Sequence, residues 1–212
     1  MKQLTITLLA LALAGTAWGL SFNAGAAYFK PSGVEGGGSA LFSLGAGKRV
    51  DDMVMVNVQL DFFNKTFKKE DVSTVDTSST SIAHTTQRLV EYEHSVKYFP
   101  ITAGAVITLP VGMLIHPYIE GRVGYGFAHV SYSYNTSLYN IPTTDRPESG
   151  TYSGFGWRLG GGARLGLGTR SALYGGIYYN GNTCSRSAGN DLFTDLNMSG
   201  LMIGAGLEIS GF

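Results

Sequence analysis

The amino-acid sequence predicts an all-β fold: eight antiparallel strands wound up and down into a transmembrane β-barrel. Three observations carry that prediction. Apolar residues alternate with polar or small ones at a period of two over eight separate stretches, as they do on the opposite faces of a strand. The connections between those stretches are alternately short and long. Beyond Gly19 no apolar run is long enough for a transmembrane helix, so this chain would have to cross a membrane with strands closed into a barrel.

Each strand follows from its alternation. Strand one, about Phe22 to Lys30, puts Phe22, Ala24, Ala26 and Tyr28 on one face. Strand two, Ala40 to Arg49, does so with Phe42, Leu44 and Ala46. Strand three, Met53 to Phe63, sets Val54, Val56, Val58, Leu60 and Phe62 against Met55, Asn57, Gln59 and Asp61. Strand four, Tyr98 to Leu109, carries Phe99, Ile101, Ala103, Ala105 and Ile107. Strand five, Pro117 to Val130, carries Ile119, Val123, Tyr125 and Phe127 against Glu120 and Arg122. Strand six, Phe155 to Leu167, is the most revealing. Its apolar face runs Phe155, Trp157, Leu159, Gly161, Ala163, Leu165; the other face holds Arg158 and Arg164 among glycines. Strand seven, Ala172 to Asn180, carries Leu173, Ile177 and Tyr179, and strand eight, Asn197 to Ile209, carries Leu201, Ile203, Ala205, Leu207 and Ile209.

Composition narrows the class. There are 30 glycines among 212 residues and 12% aromatics, a mixture unlike disordered Gly-rich chains, which lack aromatic and β-branched residues. Met1-Lys2, the apolar run Leu4 to Ala14 and the small residues of Thr16-Ala17-Trp18-Gly19 have the form of a secretory signal peptide. We therefore expect residues 1–19 to be removed and 20–212 to form one barrel domain. Without Lys2 the chain has 14 basic and 15 acidic residues, a net charge of −1, and no basic patch that would suggest nucleic acid. The single cysteine, Cys184, rules out an internal disulfide and reads as incidental.

The connections after strands two, four and six are short turns, whereas those after one, three, five and seven are longer and polar. Outer-membrane barrels have this asymmetry, with periplasmic turns and extracellular loops. With the long loops outside, Tyr28, Phe42, Phe62, Phe99, Phe127, Phe155, Trp157 and Tyr179 fall at one height as an aromatic girdle at the lipid interface. A soluble eight-stranded barrel would instead turn its apolar face inward and show its charges to water.

Here the chain resembles the small eight-stranded outer-membrane β-barrel proteins of Gram-negative bacteria, the OmpX/OmpA-like group. The resemblance rests on Ser43-Leu44-Gly45-Ala46-Gly47, Gly121-Arg122-Val123-Gly124-Tyr125-Gly126, Gly160 to Gly166, Lys97-Tyr98-Phe99-Pro100 and the terminal Phe212. It implies an exported protein of the outer membrane, in contact with its lipids and inserted by the barrel-assembly machinery. In such barrels the final phenylalanine closes the outward face. Phe212 instead shares the parity of Glu208 and Ser210, so a bulge or an early strand end is required.

Eight strands leave an interior that side chains can fill. The inward charges Asp61, Glu120, Arg122, Arg158 and Arg164 form an expected lumen network, with Glu120 paired to Arg164 and the inward glycines making room for guanidinium groups. Such a network closes the lumen; a small porin-like channel is the alternative. His129 and Ser131 share a face near the outer end of strand five, similar to the His-x-Ser of lipid A deacylases, but lack a visible acid beyond the loop residues Asp145 and Glu148. His84, His94 and His116 show no metal-ligand spacing, and no cofactor motif is present. Function is therefore expected in the loops. Tyr139, Asp145, Arg146 and Glu148 form the candidate surface for an extracellular protein or surface ligand, and Leu89 to His94 reads as strand continuing past the membrane.

Overall fold

A computed structural model describes residues 19–34, 36–76, 84–111, 114–134, 149–186 and 195–210. The strands are β1 Leu20–Pro31, β2 Ser39–Arg49, β3 Val54–Asp76, β4 His84–Thr108, β5 Ile115–Tyr134, β6 Gly150–Gly166, β7 Ser171–Ser185, β8 Asp195–Asn197 and β9 Gly200–Ser210. Each of β1 to β6 pairs antiparallel with the next, β6 pairs with β7, β7 with β9, and β9 with β1. Eight strands thus close into an all-antiparallel barrel.

The expected final strand is interrupted. β8 pairs with β7 from Thr183↔Asn197 to Ser185↔Asp195, and β9 begins after a break at Met198-Ser199. Side chains hold the break open. The Ser199 amide donates to Asn197 Oδ1 at 2.9 Å, and Asn180 Nδ2 donates to the Met198 carbonyl at 2.9 Å. Such local side-chain bonds compete with the ladder. Beyond the break, β9 lies between β7 and β1, with Asn180↔Gly200 on one side and Pro31↔Gly200 on the other.

Three strands outrun the barrel. β3 has 23 residues, β4 25 and β5 20, against 11 for β2. β2 leaves β3 at Leu41↔Phe63, whereas β3 and β4 stay paired to Asp76↔His84, with a bulge at Lys69/Glu70. The expected strands Met53–Phe63 and Tyr98–Leu109 are the barrel staves alone. Past Phe63 the apolar alternation fades into Asn64, Lys65, Thr66, Phe67 and Lys68 because no lipid faces that stretch. Leu89 to His94 lies within β4.

The faces are inverted relative to a soluble protein. Val58, Leu60, Ile119, Val123, Leu159, Ile177 and Ile203 are exposed, while Asn57, Gln59, Asp61, Arg122, Arg158, Asn180 and Glu208 are buried. An exterior this apolar suits lipid, and an interior this polar is that of a membrane barrel. The inward glycines admit tyrosine and asparagine side chains more often than the guanidinium groups expected: a Cβ at Gly126 would stand 2.7 Å from the Tyr98 ring, and one at Gly156 would press on Asn182 Nδ2. Two glycines do face arginines: Gly104 the stem of Arg122 at 2.7 Å and Gly150 the guanidinium of Arg186 at 2.7 Å.

Candidate functional site

The lumen has two halves of different chemistry. Towards the short turns lies the charged half. Arg158 Nη2 donates to Asp61 Oδ2 at 2.5 Å, and Gln59 Nε2 donates to Asp61 Oδ1 at 2.6 Å. Arg158 on β6 and Asp61 on β3 belong to non-adjacent strands, so this pair spans the barrel. Arg122 grips Glu120 with two bonds, Nε to Oε1 at 2.7 Å and Nη2 to Oε2 at 3.1 Å, and its Nη1 reaches Asn57 Oδ1 at 2.7 Å. Arg164 Nη2 donates to Glu208 Oε1 at 2.7 Å, with Arg49 Nη2 at 3.4 Å and Ser210 Oγ at 3.0 Å on the same oxygen.

The expected Glu120–Arg164 pair does not form. That pairing assumed Phe127 level with Phe155, but Phe155 lies opposite Tyr125 and Phe127 opposite Ser153. A two-residue slip preserves the faces and changes the level. It puts Arg164 beside His116 and Arg158 beside Arg122. Each arginine then needs its own carboxylate. Glu208 is the one sequence reasoning missed, although its inward parity with Gly206 and Ser210 was readable. Tyr118 and Tyr178 join hydroxyl to hydroxyl beneath this layer. A cavity of about 60 Å³ remains among these side chains, room for a few waters. A wider one of about 350 Å³ opens at the turn end, and both are lined by Arg49 and Arg164.

Towards the long loops the lumen is largely apolar, with Asn180 and Asn182 buried among its side chains. Phe29, Leu41, Phe63, Val96, Tyr98, Val130, Met198 and Met202 form a buried cluster. Phe29 meets Phe63 edge-on at 5.3 Å between ring centroids and stacks on Tyr98 at 6.4 Å. Cys184, expected as incidental, is fully enclosed in this cluster and its thiol donates to Asn182 Oδ1 at 2.9 Å. The plug was legible as apolar doublets: Tyr28-Phe29, Leu41-Phe42, Phe62-Phe63 and Tyr98-Phe99 each send one residue to lipid and one inward.

On the outer wall, Tyr28, Phe42, Phe62, Phe99, Phe127, Phe155, Trp157 and Tyr179 all point outward, with exposures from 39% at Phe62 to 65% at Phe155. Phe42 lies opposite Phe62, and Phe99 opposite Phe127. Phe62 and Phe99 stand 5.0 Å apart, and Trp157 and Tyr179 5.8 Å. Tyr125, 5.2 Å from Phe127, extends the same band.

His129 and Ser131 also face outward. His129 Nδ1 shares a hydrogen bond with Thr151 Oγ1 at 3.2 Å, while Ser131 lies across from Ser95. Tyr139, Asp145, Arg146 and Glu148 lie outside the described residues, as does Phe212. Above the barrel, the projecting sheet carries an aromatic ladder on its lumen-side face. His94 stacks on Tyr132 at 4.8 Å, Tyr132 on Tyr134 at 6.1 Å, Tyr92 meets Tyr134 at 6.2 Å and Phe67 at 6.4 Å. Lys69 Nζ sits 5.7 Å from the centre of the Tyr92 ring.

The architecture has solved counterparts. Neisserial surface protein A shares 17% identity at a TM-score of 0.56, covering 90% of this chain and 96% of that one. A major outer membrane protein of Thermus thermophilus shares 12% at 0.52, covering 90% and 99%. OprG of Pseudomonas aeruginosa shares 14% at 0.50, covering 90% and 96%. No curated protein matches the chain in sequence. Residues 4–209 match the outer membrane protein beta-barrel domain, over an inverted eight-stranded barrel, and the chain belongs to that family.

Proposed function

We propose that the protein acts at the cell surface, binding an extracellular protein or surface ligand through its loop end while its lumen stays shut. The observation that carries this reading is the apolar plug of Phe29, Leu41, Phe63, Val96 and Val130 across the loop half of the lumen. A solute path would have to cross it, so activity is left to what stands outside. There β3 and β4 project as a paired ribbon, and from Asn64 to Asp76 the β2-facing edge of β3 has no barrel strand beside it among the described residues. An open edge can take up a further extended chain. The loop residues Tyr139, Asp145, Arg146 and Glu148 complete the proposed surface.

In this reading residues 1–19 are cleaved on export, the barrel-assembly machinery inserts residues 20–212, and the girdle aromatics rest in the lipid interface. A conducting lumen is opposed by the plug. A lipid A hydrolase built on His129 and Ser131 is opposed by the His129 bond to Thr151, which sets a threonine hydroxyl, rather than Ser131, against the imidazole Nδ1. The test is deletion of residues 140–149 from the full chain, with heat-modifiable gel mobility as the check that the barrel folds. Binding of expressing cells to host cells or matrix should fall. Undiminished binding by a folded deletion variant would sink the proposal.

A further inference from the structure

Directly above Phe62, Phe99 and Phe127 the outer wall turns polar. The next outward residues are Asn64, Lys97 and His129, and Thr151 continues the row on β6. They form one rung, Asn64↔Lys97↔His129↔Thr151, all exposed, with side chains about 5 Å apart from strand to strand. Lys97 makes no ion pair among the described residues. The next outward carboxylate on β4 is Glu93, about 13 Å further along the strand, and Lys68 holds it at 3.0 Å. Beside Lys97, His129 has its Nδ1 engaged by Thr151 Oγ1 at 3.2 Å. When that hydroxyl donates, the ring proton sits on Nε2 and is left to donate elsewhere. Ser131, on the rung above, adds a hydroxyl. The row is therefore a cation with neutral donors around it, at the height where the apolar wall ends.

Below the same rung the wall is hollow. Ala103, Gly121, Val123, Trp157 and Leu159 line a groove of about 300 Å³ across β4, β5 and β6. Gly121 makes the hollow: a Cβ there would meet only Leu159 Cδ2, at 3.4 Å. Lys97 and Ala103 lie on the same strand, about 20 Å apart along it, which at the usual barrel tilt is about 15 Å of depth. The apolar band of such barrels is about 25 Å tall, so the groove lies where chains of the outer leaflet end.

We propose that this meridian of the barrel seats one phosphorylated lipid of the outer leaflet. Lys97 and His129 take its phosphate, and the groove at Gly121 takes an acyl chain. An ammonium group serves a phosphate as a point charge, with the imidazole and hydroxyl donors completing the shell. The groove opens onto the hydrocarbon layer, so its occupant has to be apolar. A free phosphate would use the rung and leave the groove unfilled; a lipid uses both. Lys30 supplies an internal comparison. It too stands one step above a girdle aromatic, Tyr28, but on β1, across the barrel, and its neighbour on β9 is Leu201.

The experiment titrates lipid A carrying both phosphates into the full barrel in an uncharged, phosphate-free maltoside detergent. Amide NMR signals and the Trp157 indole N–H are followed, and heat-modifiable mobility shows that each variant folds. Saturable shifts at Asn64, Lys97, His129 and Thr151, together with Trp157, are expected. Lys97→Gln should weaken binding by about tenfold. Gly121→Leu, which fills the groove, should weaken it by about fivefold; if that variant does not fold, the Trp157 response decides the chain seat. Lys30→Gln should leave affinity unchanged, and lipid A stripped of its phosphates should bind about tenfold more weakly. An equal loss in Lys30→Gln and Lys97→Gln would reduce the site to general charge attraction and overturn it. Equal binding of the dephosphorylated lipid, full affinity in a folded Gly121→Leu variant, or silence throughout overturns it as well. So do the same rung shifts from inorganic phosphate at matched concentration with Trp157 unmoved. No host ligand enters the titration, so its outcome is separate from that of the loop deletion.

Discussion

Arg158 and Asp61 show how much a single contact is asked to do inside this barrel. The two side chains are 2% and 0% exposed and meet across the lumen from β6 and β3. Removing one partner of such a pair strands the other charge away from water, at a cost of about 3–5 kcal/mol. Replacing both with apolar groups of similar size removes the problem. We therefore expect Asp61→Asn to destabilise the barrel by that amount, and Arg158→Met with Asp61→Leu to recover most of it. Denaturant unfolding of the refolded protein in lipid vesicles measures both. A double variant as unstable as the single one would show that the bridge itself, rather than the avoidance of a lone charge, holds the walls together. Glu208 was hidden from sequence reasoning for a related reason. Its partners Arg49 and Arg164 are distant in the chain, and pairing across a lumen depends on the level of each strand, which alternation leaves open.

At the scale of elements, the eight staves were readable because lipid imposes a strict apolar face over each. Val54 to Phe62 and Ile119 to Phe127 announce themselves. The extensions of β3, β4 and β5 were not, since outside the membrane no solvent enforces a period of two; only the β-rich Leu89 to His94 hinted at them. The break at Met198-Ser199 was likewise invisible, because Asn180, Asn197 and Ser199 create it by side-chain bonds that a pattern of hydropathy does not register. A hairpin held mainly by its own ladder should be separable from the barrel. Excising residues 68–93 and joining Phe67 to His94, its cross-strand partner, through Asn-Gly restores a tight turn. The shortened barrel should fold and unfold at the same denaturant midpoint as the parent. Loss of the folded, heat-modifiable form would mean that the ribbon is part of the barrel's own stability.

Across the whole molecule, the lumen is graded from a polar turn half, with cavities of about 60 and 350 Å³, to a loop half packed by Phe29, Phe63 and Tyr98. Ions entering from the turns would meet cross-lumen bridges and then an apolar wall. Purified protein in planar bilayers should accordingly give no single-channel steps, and well-resolved openings in the unmodified chain would contradict a closed lumen.

β1 and β9 pair along their whole length, from Ser21↔Ser210 to Pro31↔Gly200. The other barrel joints link strands that lie close in the chain; this one ties its two extremes. Closing so large a loop has the steepest entropic cost of any pairing in the barrel. Assembly should therefore proceed as a growing open ribbon whose last act is the β1–β9 seam. Until that moment both ribbon edges stay bare, so the rate of sealing, more than the strength of any single strand pair, governs how long each nascent chain is exposed to aggregation.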